Sequence, residues 1–509
     1  GLTFINIPGA PVPPGKGAFE GCTNLTCMVL RTASETSDGK AFFLGNLFGA
    51  SAYTGNHAAV PASLKTVVIA GHTDIAENAF YGCDSLENIF VTGTVGRVGE
   101  DAFRDCDALK GVYIDDLVMW AQISFSNEGA TPLSTARLYL DFQPVTSVIL
   151  PEGITSIGDY AFFGAGDITE ISLPSTIRTI GGDAFYDTGY YMDDSRWENG
   201  ALYIGKYLID VRNSVSGRFT VKAGTVCIAK EAFWGVTGMT GITLPAGIYT
   251  IDDHTFHGCT GLRDITLPAG IAYIGNYAFM ECTALESIRI PEGTEYIGEC
   301  AFYGCLALAS VEFSTSVKVI YSKAFYRCSA LKNVVLPEGS ADNIHDEAFA
   351  FSGLTSISIP SNISLLGMRV FMGCGDLENI TVASGCSLLK VVNNCLIRKN
   401  GMLVVGFSDC SIPADGSVRG IEDYAFQSSR MTEIVIPEGV ESIGESAFEW
   451  SELEKVTMAG TVKKIGYHAF ANCSKLREFV WLGTRTTWLA VNHGNQWDVG
   501  SSFTVTFSE

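Results

Sequence analysis

The sequence predicts a solenoid of the α/β class, in which short strands and tight turns repeat around one long core. Three observations predict it: a phenylalanine that returns every 23 residues from Phe233 to Phe325, apolar columns that return with it, and a proline that ends each apolar pair. Repeats of this length bury their apolar faces only by stacking on their neighbours. The phenylalanine column comprises Phe19, Phe80, Phe103, Phe162, Phe185, Phe233, Phe256, Phe279, Phe302, Phe325, Phe349, Phe371, Phe426, Phe448 and Phe470.

One repeat from the middle of the chain predicts three buried edges. Ile265 and Leu267 alternate with polar residues and precede Pro268, which predicts a short strand that ends at the proline. The next two isoleucines predict a second edge, and Ala278–Phe279 predicts a short helical turn. One strand per coil with leucine-type columns indicates a right-handed leucine-rich-repeat solenoid. The columns of this unit are Leu262, Ile265, Leu267, Pro268, Ile271, Ile274, Gly275, Ala278, Phe279 and Cys282.

The repeat predicts one continuous domain over residues 1–509, with four interruptions. We interpret these as β-hairpin excursions, since Asn199-Gly200 and Asn400-Gly401 lie between runs of strand-forming residues. Exposed hairpin tips on a rigid scaffold are frequent functional positions. The interruptions lie at about 43–62, 112–142, 190–222 and 384–415, and a C-terminal hairpin cap is expected at about 479–509.

The ends and the charge of the chain restrict the class of protein. Leu2, Ile5, Ile7 and Pro8 fall on repeat columns, so we expect a leader or an upstream segment to lie outside this sequence. No stretch is long and apolar enough to predict a transmembrane segment. The net charge of −22 argues against a nucleic-acid partner, because phosphate binding needs a concentrated basic face.

Most of the cysteines form a repeat column, three residues after the phenylalanine. Other units place Ala165, Val236 or Ser352 there, so the position requires a small residue in a packed interior. We therefore expect thiols in this column, with disulfides between neighbouring coils as the alternative. The column comprises Cys22, Cys83, Cys106, Cys259, Cys282, Cys305, Cys328, Cys374 and Cys473.

The sequence offers no catalytic constellation, so we predict a protein that is not an enzyme and needs no cofactor or metal. Gly200 and Gly205-Lys206 match part of a phosphate-binding loop, but Tyr207 stands where that loop needs serine or threonine. His254 and His257 flank Phe256, yet other repeats vary freely at these positions, which disfavours a metal site.

Two repeated surfaces are candidate binding sites. The first is the polar outward side of the strands, represented by Asp264, Thr266, Ser287 and Arg289, which could equally be an ordinary solvated sheet face. The second is an aromatic stripe one residue after the phenylalanine column, which could bind a sugar or protein or could cover the seam between coils. The stripe comprises Tyr81, Phe163, Tyr186, Trp234, Tyr303 and Tyr326.

The repeat resembles that of BspA-like leucine-rich repeat surface proteins of bacteria and protists, L-x-x-I-x-I-P-x-x-V-x-x-I-G-x-x-A-F-x-x-C. The segment from Val112 to Leu140 is similar to insertions in gut-bacterial members, and Leu482–Phe507 resembles the closing hairpin of that family. The resemblance implies a secreted or cell-surface location and non-catalytic adhesion to host proteins, glycans or other microbes. It carries no agreed binding motif, so it assigns no site residue.

Three functions from different classes follow from these patterns. An adhesin or binding scaffold is favoured by the long polar strand face and by the hairpins. A structural spacer of a larger wall-associated protein would be expected to keep an uninterrupted period. An enzyme is disfavoured, because no nucleophile, base and acid converge.

Overall fold

A computed structural model of the chain describes residues 2–7, 15–31, 41–71, 74–406 and 409–508. It contains two compact units, one of Gly1–Arg212 with Gly224–Ala232 and the other of Asn213–Ala223 with Phe233–Glu509. The single continuous domain expected from the repeat stays a prediction. Pro8, expected on a repeat column, lies outside the described residues.

The first unit consists of parallel strands, short helices and two antiparallel stretches among its described residues. Its helices are 3-10 segments Leu44–Phe48, Tyr53–Gly55, Pro132–Ser134 and Asp194–Arg196, and α-helices α1 (Asn56–Ala59), α2 (Leu117–Ala121) and α3 (Gly189–Met192). Its strands are β1 (Phe4–Asn6), β2 (Cys27–Leu30), β3 (Thr66–Ile69), β4 (Asn88–Val91), β5 (Arg97–Val98), β6 (Gly111–Ile114), β7 (Ser124–Phe125), β8 (Arg137–Leu140), β9 (Gln143–Pro144), β10 (Ser147–Ile149), β11 (Ser156–Ile157), β12 (Glu170–Ser172), β13 (Thr179–Ile180), β14 (Trp197–Glu198), β15 (Ala201–Ile204), β16 (Tyr207–Val211) and β18 (Cys227–Ile228). The strand numbered between the last two, β17 (Gly217–Thr220), belongs to the other unit.

The second unit repeats the coil more regularly and has one α-helix, α4 (Arg485–Leu489), among its described residues. Its strands are β17 (Gly217–Thr220), β19 (Met239–Thr243), β20 (Thr250–Ile251), β21 (Asp264–Thr266), β22 (Tyr273–Ile274), β23 (Ser287–Arg289), β24 (Tyr296–Ile297), β25 (Ser310–Glu312), β26 (Val319–Ile320), β27 (Asn333–Val335), β28 (Asn343–Ile344), β29 (Ser356–Ile359), β30 (Leu365–Leu366), β31 (Asn379–Val382), β32 (Leu389–Val392), β33 (Cys395–Arg398), β34 (Met402–Gly406), β35 (Gly420–Ile421), β36 (Glu433–Ile436), β37 (Ser442–Ile443), β38 (Lys455–Ala459), β39 (Lys464–Ile465), β40 (Glu478–Leu482), β41 (Asn492–His493) and β42 (Thr504–Phe507).

Each regular coil contributes two parallel strands, which confirms the solenoid but corrects the prediction of one strand per coil. The predicted strand is β21, whose central Ile265 is buried between exposed neighbours. The second strand, β22, pairs with β20 and β24 in a six-stranded sheet. It has only two residues, so it leaves no alternating signal in the sequence.

The segment around the column phenylalanine is a series of tight turns, so the predicted short helical turn is wrong. The amide of Phe279 donates to the carbonyl of Ala301 on the next coil at 2.7 Å, while the amide of Cys282 donates to the carbonyl of Phe279 at 3.1 Å. Tyr277 and Glu281 have φ values of 57° and 58°. Amides that alternate between the local turn and the next coil cannot form the regular hydrogen bonds of a helix.

The core of the second unit is a stack of phenylalanine rings with a row of thiols beside it. Centroids of successive rings from Phe233 to Phe349 are 5.0 to 5.3 Å apart. The Cys282 thiol donates to the carbonyl of Phe256, the column phenylalanine of the preceding coil, at 3.1 Å. The same bond to the preceding coil is made by Cys259, Cys305 and Cys328. A thiol at this position adds a hydrogen bond to small volume, although Ala165 and Val236 show that the coil can form without that donor.

The cysteines of the column that the structure describes are free thiols, as expected. One disulfide lies outside the column and joins Cys395 to Cys410, with the two Cα atoms 5.8 Å apart. Burial raises the pKa of the Cys259 thiol to about 12, and it raises the pKa of Cys282 well above its usual range. These thiols are therefore poor nucleophiles.

Two of the four interruptions are antiparallel hairpin insertions, as predicted, and two differ. Strands β14, β15 and β16 form one antiparallel set, and β32, β33 and β34 form the other. Residues 43–62 contain two 3-10 segments and α1. Residues 112–142 contain α2, β7, Pro132–Ser134 and β8, whose antiparallel partner β9 follows at Gln143–Pro144. The expected closing hairpin is also wrong, because β42 pairs parallel to β40 and so completes a further coil.

Candidate functional site: the strand face and the aromatic stripe

The outward side chains of β21 and β23 form the surface that we call the strand face. Asp264, Thr266, Ser287 and Arg289 are all exposed, while the residue between each pair is buried. Parallel pairing places Ser287 beside Ser310 and Arg289 beside Glu312 of the next coil. The sequence predicted this orientation, and the fold leaves these four side chains in solvent.

Charged residues of the strand face pair along the solenoid. Arg289 Nε lies 3.3 Å from Glu312 Oε1, and Arg218 forms an ion pair with Asp264. The second pair spans the intervening coil because that coil has Gly241, and a Cβ there would lie 2.4 Å from Asp264 Oδ1. Side chains this exposed form ion pairs that contribute little to stability.

A shallow concavity of about 460 Å³ lies on the strand face between β23 and β27. Ser287, Arg289, Ser310 and Glu312 line it together with Val335. Val335 is 66% exposed, although its neighbour Val334 is buried. The concavity therefore offers an apolar floor beside hydroxyl groups and an ion pair, which suits polar contacts around one apolar anchor.

The aromatic stripe forms two separate groups in the second unit. Trp234, which is 46% exposed, stacks on His257 with ring centroids 4.4 Å apart. Tyr303 stacks on Tyr326 at 4.9 Å, and Phe351 packs against Tyr326 at 5.3 Å. The sequence did not identify Phe351, because it lies one residue beyond the predicted column.

The stripe and the strand face come from different edges of each coil. Ser287 lies on the first strand of its coil, whereas Tyr303 follows the buried Phe302 in the tight turns. The structure thus supplies two candidate surfaces and does not merge them into one site.

The two histidines near Trp234 form an aromatic contact in this region. His254 Nδ1 lies 3.0 Å from His257 Nδ1, and His254 also stacks on Tyr277 at 4.7 Å. Burial lowers the pKa of His257, which favours the neutral ring. Within the described ranges, no group of three or more potential ligands is placed to hold a metal ion.

The hairpin tips are exposed, and the second one borders a cleft that the sequence did not predict. Asn199 and Asn400 are both exposed, and Asn199 has φ 52°, as expected in a tight hairpin turn. The cleft has a volume of about 430 Å³, and its lining includes Asn400, Arg398 and Glu422. Arg398 Nε binds Glu422 Oε1 at 2.6 Å, so these two charges largely neutralise each other.

Stacked parallel coils with exposed outer faces define a repeat-based binding protein. The family model for the BspA type leucine rich repeat region matches residues 55–131, 137–263, 226–294, 272–400 and 405–487. The chain belongs to this family. Leucine-rich repeat proteins of this kind are usually non-catalytic binding proteins. No helix among the described residues combines the length and apolar character needed to cross a membrane.

Several solved structures are similar to this chain. The pneumococcal vaccine antigen PcpA is 23% identical over 60% of this chain and 80% of its own, with a TM-score of 0.43. A leucine rich cell surface protein of Faecalibacterium prausnitzii is 20% identical over 68% of this chain and 90% of its own, with a TM-score of 0.36. A leucine rich repeat protein of T. pallidum is 30% identical over 34% of this chain and 82% of its own, with a TM-score of 0.30. No curated protein matches the sequence.

Proposed function

We propose that this protein is a secreted or cell-surface adhesin that binds a protein or glycan of a host or microbial surface without catalysing a reaction. The strand face around Asp264, Thr266, Ser287 and Arg289 makes the main contact. Membership of the BspA-type family and the cell-surface description of the F. prausnitzii relative support the location.

The observation that carries the proposal is the concavity around Val335. Folding gains little from this side chain, since it is 66% exposed. The two charged groups beside it, Arg289 and Glu312, are paired with each other, so a partner can cover them without leaving a charge unpaired. Many weak contacts over a repeated face can then add to a stable attachment.

An array of matrix proteins and surface glycans, probed with the purified protein, tests this function. We expect saturable binding to at least one component, and loss of that binding in the double variant Thr266→Arg with Arg289→Glu. A protein that binds nothing on the array in a saturable manner would instead fit the structural spacer. The hairpin-tip variants Asn199→Ser and Asn400→Ser, assayed in parallel, determine whether either tip contributes.

A further inference from the structure

The first unit carries an aromatic cluster on its outward strand side, to which the sequence patterns assigned no role. Parallel pairing aligns Phe90 of β4, Tyr113 of β6 and Tyr139 of β8 in one row. The ring centroids of Phe90 and Tyr113 are 4.5 Å apart, and those of Tyr113 and Tyr139 are 4.7 Å apart. We call these three residues the aromatic ladder.

The coil does not need aromatic residues at these positions. Phe90 directly follows the buried Ile89, just as Thr266 directly follows the buried Ile265 in the second unit. The second unit builds the equivalent outward positions without aromatic residues: they are Thr243, Thr266, Arg289, Glu312, Val335, Ser358 and Thr381. Cross-strand stacking adds some stability to the first sheet, but the fold itself does not require it.

Phe142 extends the ladder from a conformation that opposes folding. It lies at the tip between β8 and β9 with φ 61°, after Asp141 with φ 49°. Such a turn favours glycine at its second position, and a bulky residue there is strained. Phe142 is nevertheless 72% exposed, with its ring centroid 5.7 Å from Tyr113. Strain that burial does not offset is typical of residues that contact a partner.

The geometry of the rings selects the chemistry of that partner. Sugars stack on free aromatic faces, whereas the ladder rings are nearly parallel, with interplanar angles of 11° and 16°, and cover each other's faces. The surface exposed to solvent therefore consists of the edges of the ladder rings and the exposed ring of Phe142. Apolar side chains of a polypeptide pack well against such a surface.

A cleft of about 570 Å³ lies at the ends of the same strands and adds a preference for positive charge. Val91 and Ile114, which directly follow Phe90 and Tyr113, line it with Met119. Its charged lining consists of Asp115, Asp116 and Arg31, which gives an excess of one carboxylate. The net charge of the whole chain, −22, acts in the same direction and attracts basic segments.

We propose that the aromatic ladder with Phe142 is a second binding site, specific for polypeptide segments that combine apolar and basic side chains. An apolar side chain packs on Phe142 and the ladder, and a lysine or arginine extends into the cleft beside Asp115. The site belongs to the first unit and stands independently of the strand face proposed above.

Fluorescence anisotropy with short labelled peptides of equal length tests the proposal on the full chain. The probes are an alternating leucine–lysine peptide, a leucine–glutamate peptide, a serine–lysine peptide and an unlabelled chitin oligosaccharide as competitor. We expect saturable binding of the leucine–lysine peptide alone. Phe142→Gly should weaken this binding by about tenfold, while its melting temperature equals or exceeds that of the wild type, because glycine relieves the φ strain. The control Tyr249→Ser removes an aromatic side chain that is 58% exposed elsewhere and should bind normally.

Three results would overturn the proposal. One is equal affinity of wild type and Phe142→Gly for the leucine–lysine peptide. Another is equal binding of the serine–lysine peptide, since net charge alone would then explain attachment. The third is displacement of the peptide by the oligosaccharide, which would make the ladder a glycan surface. Tyr113→Ser is a second variant of the ladder. Its affinity for the leucine–lysine peptide should also fall, when measured at a temperature at which this variant and Phe142→Gly are both fully folded.

Discussion

Phe279 lies between Phe256 and Phe302 with ring centroids 5.1 Å from each, and none of its surface is exposed. Phe279→Ala should lower the free energy of unfolding by about 3 to 5 kcal/mol, because it leaves a cavity that spans two coil contacts. Chemical unfolding monitored by circular dichroism measures the change. An unfolding midpoint indistinguishable from that of wild type would show that the phenylalanine column is not the core.

We expect the hydrogen bond of the Cys282 thiol to contribute more to the stability of the fold than the apolar character of this side chain. Cys282→Ser keeps a donor for the carbonyl of Phe256. Cys282→Ala removes this bond and leaves the carbonyl only the bond from the Cys259 amide, at 3.2 Å, which should cost about 0.5 to 1.5 kcal/mol. We therefore expect the serine variant to be the more stable of the two. The opposite order in the unfolding midpoints would mean that the column requires only small volume.

In the wild type, the column thiols from Cys259 to Cys328 should react slowly with an alkylating reagent, and peptide mass spectrometry should find these thiols reduced.

We expect the stability of the first unit to depend on pH because of Asp183. Burial raises its pKa from 3.8 to about 6, with the charge of Asp210 as the next cause. A raised carboxyl pKa means that the folded state binds the proton more tightly, so stability falls as pH rises from about 4 to 6. Asp183→Asn should therefore be more stable than wild type by about 2 to 3 kcal/mol at pH 7.

Unfolding curves at several pH values check this prediction. The stability difference between Asp183→Asn and wild type should disappear below pH 4, where both side chains are neutral. Asparagine also tolerates the φ of 50° at this position, so backbone strain should not confuse the comparison. A difference that stays constant over the whole pH range would contradict the assignment to Asp183.

Among the elements, the sequence predicted those with a periodic signal and missed those that depend on distant contacts. Ile265 and Leu267 revealed the first strand of the coil through alternation, but the two-residue strand Tyr273–Ile274 is defined only by its neighbours. Phe503–Phe507 alternates like a hairpin strand, yet it pairs parallel to β40, since alternation does not determine strand direction. Phe142 was missed because its turn lacks the glycine that usually marks a hairpin tip.

The insertion formed by β32, β33 and β34 is expected to depend on its disulfide. Cys395 and Cys410 are 15 residues apart, and closing a loop of this length contributes about 3 kcal/mol in the chain-entropy account. Replacing both by serine should lower the urea midpoint of the second unit, with protease cleavage near Asn400 as a local readout. Cys386→Ser, which removes a buried free thiol, is the matched control. Equal midpoints for the double variant and the wild type would show that the hairpin is held by other contacts.

Across the whole molecule, the buried columns that fold the chain are different residues from the exposed ones that we propose to bind a partner. Inward columns such as Phe279 are fully buried, whereas Thr266 and Arg289 are exposed and Arg289 pairs only along the surface. Substitutions at such surface positions usually change stability by no more than about 0.5 kcal/mol. For the proposed binding function, the strongly acidic composition favours partners with basic regions.

The most direct test of this separation measures melting temperature and attachment together for two sets of variants. In Thr266→Arg with Arg289→Glu, we expect an unchanged melting temperature and loss of attachment to the partner found on the array. In Trp234→Ser with Tyr303→Ser and Tyr326→Ser, we expect attachment to persist. If attachment instead survives the first set and fails in the second, the aromatic stripe is the binding surface and the proposal for the strand face is wrong.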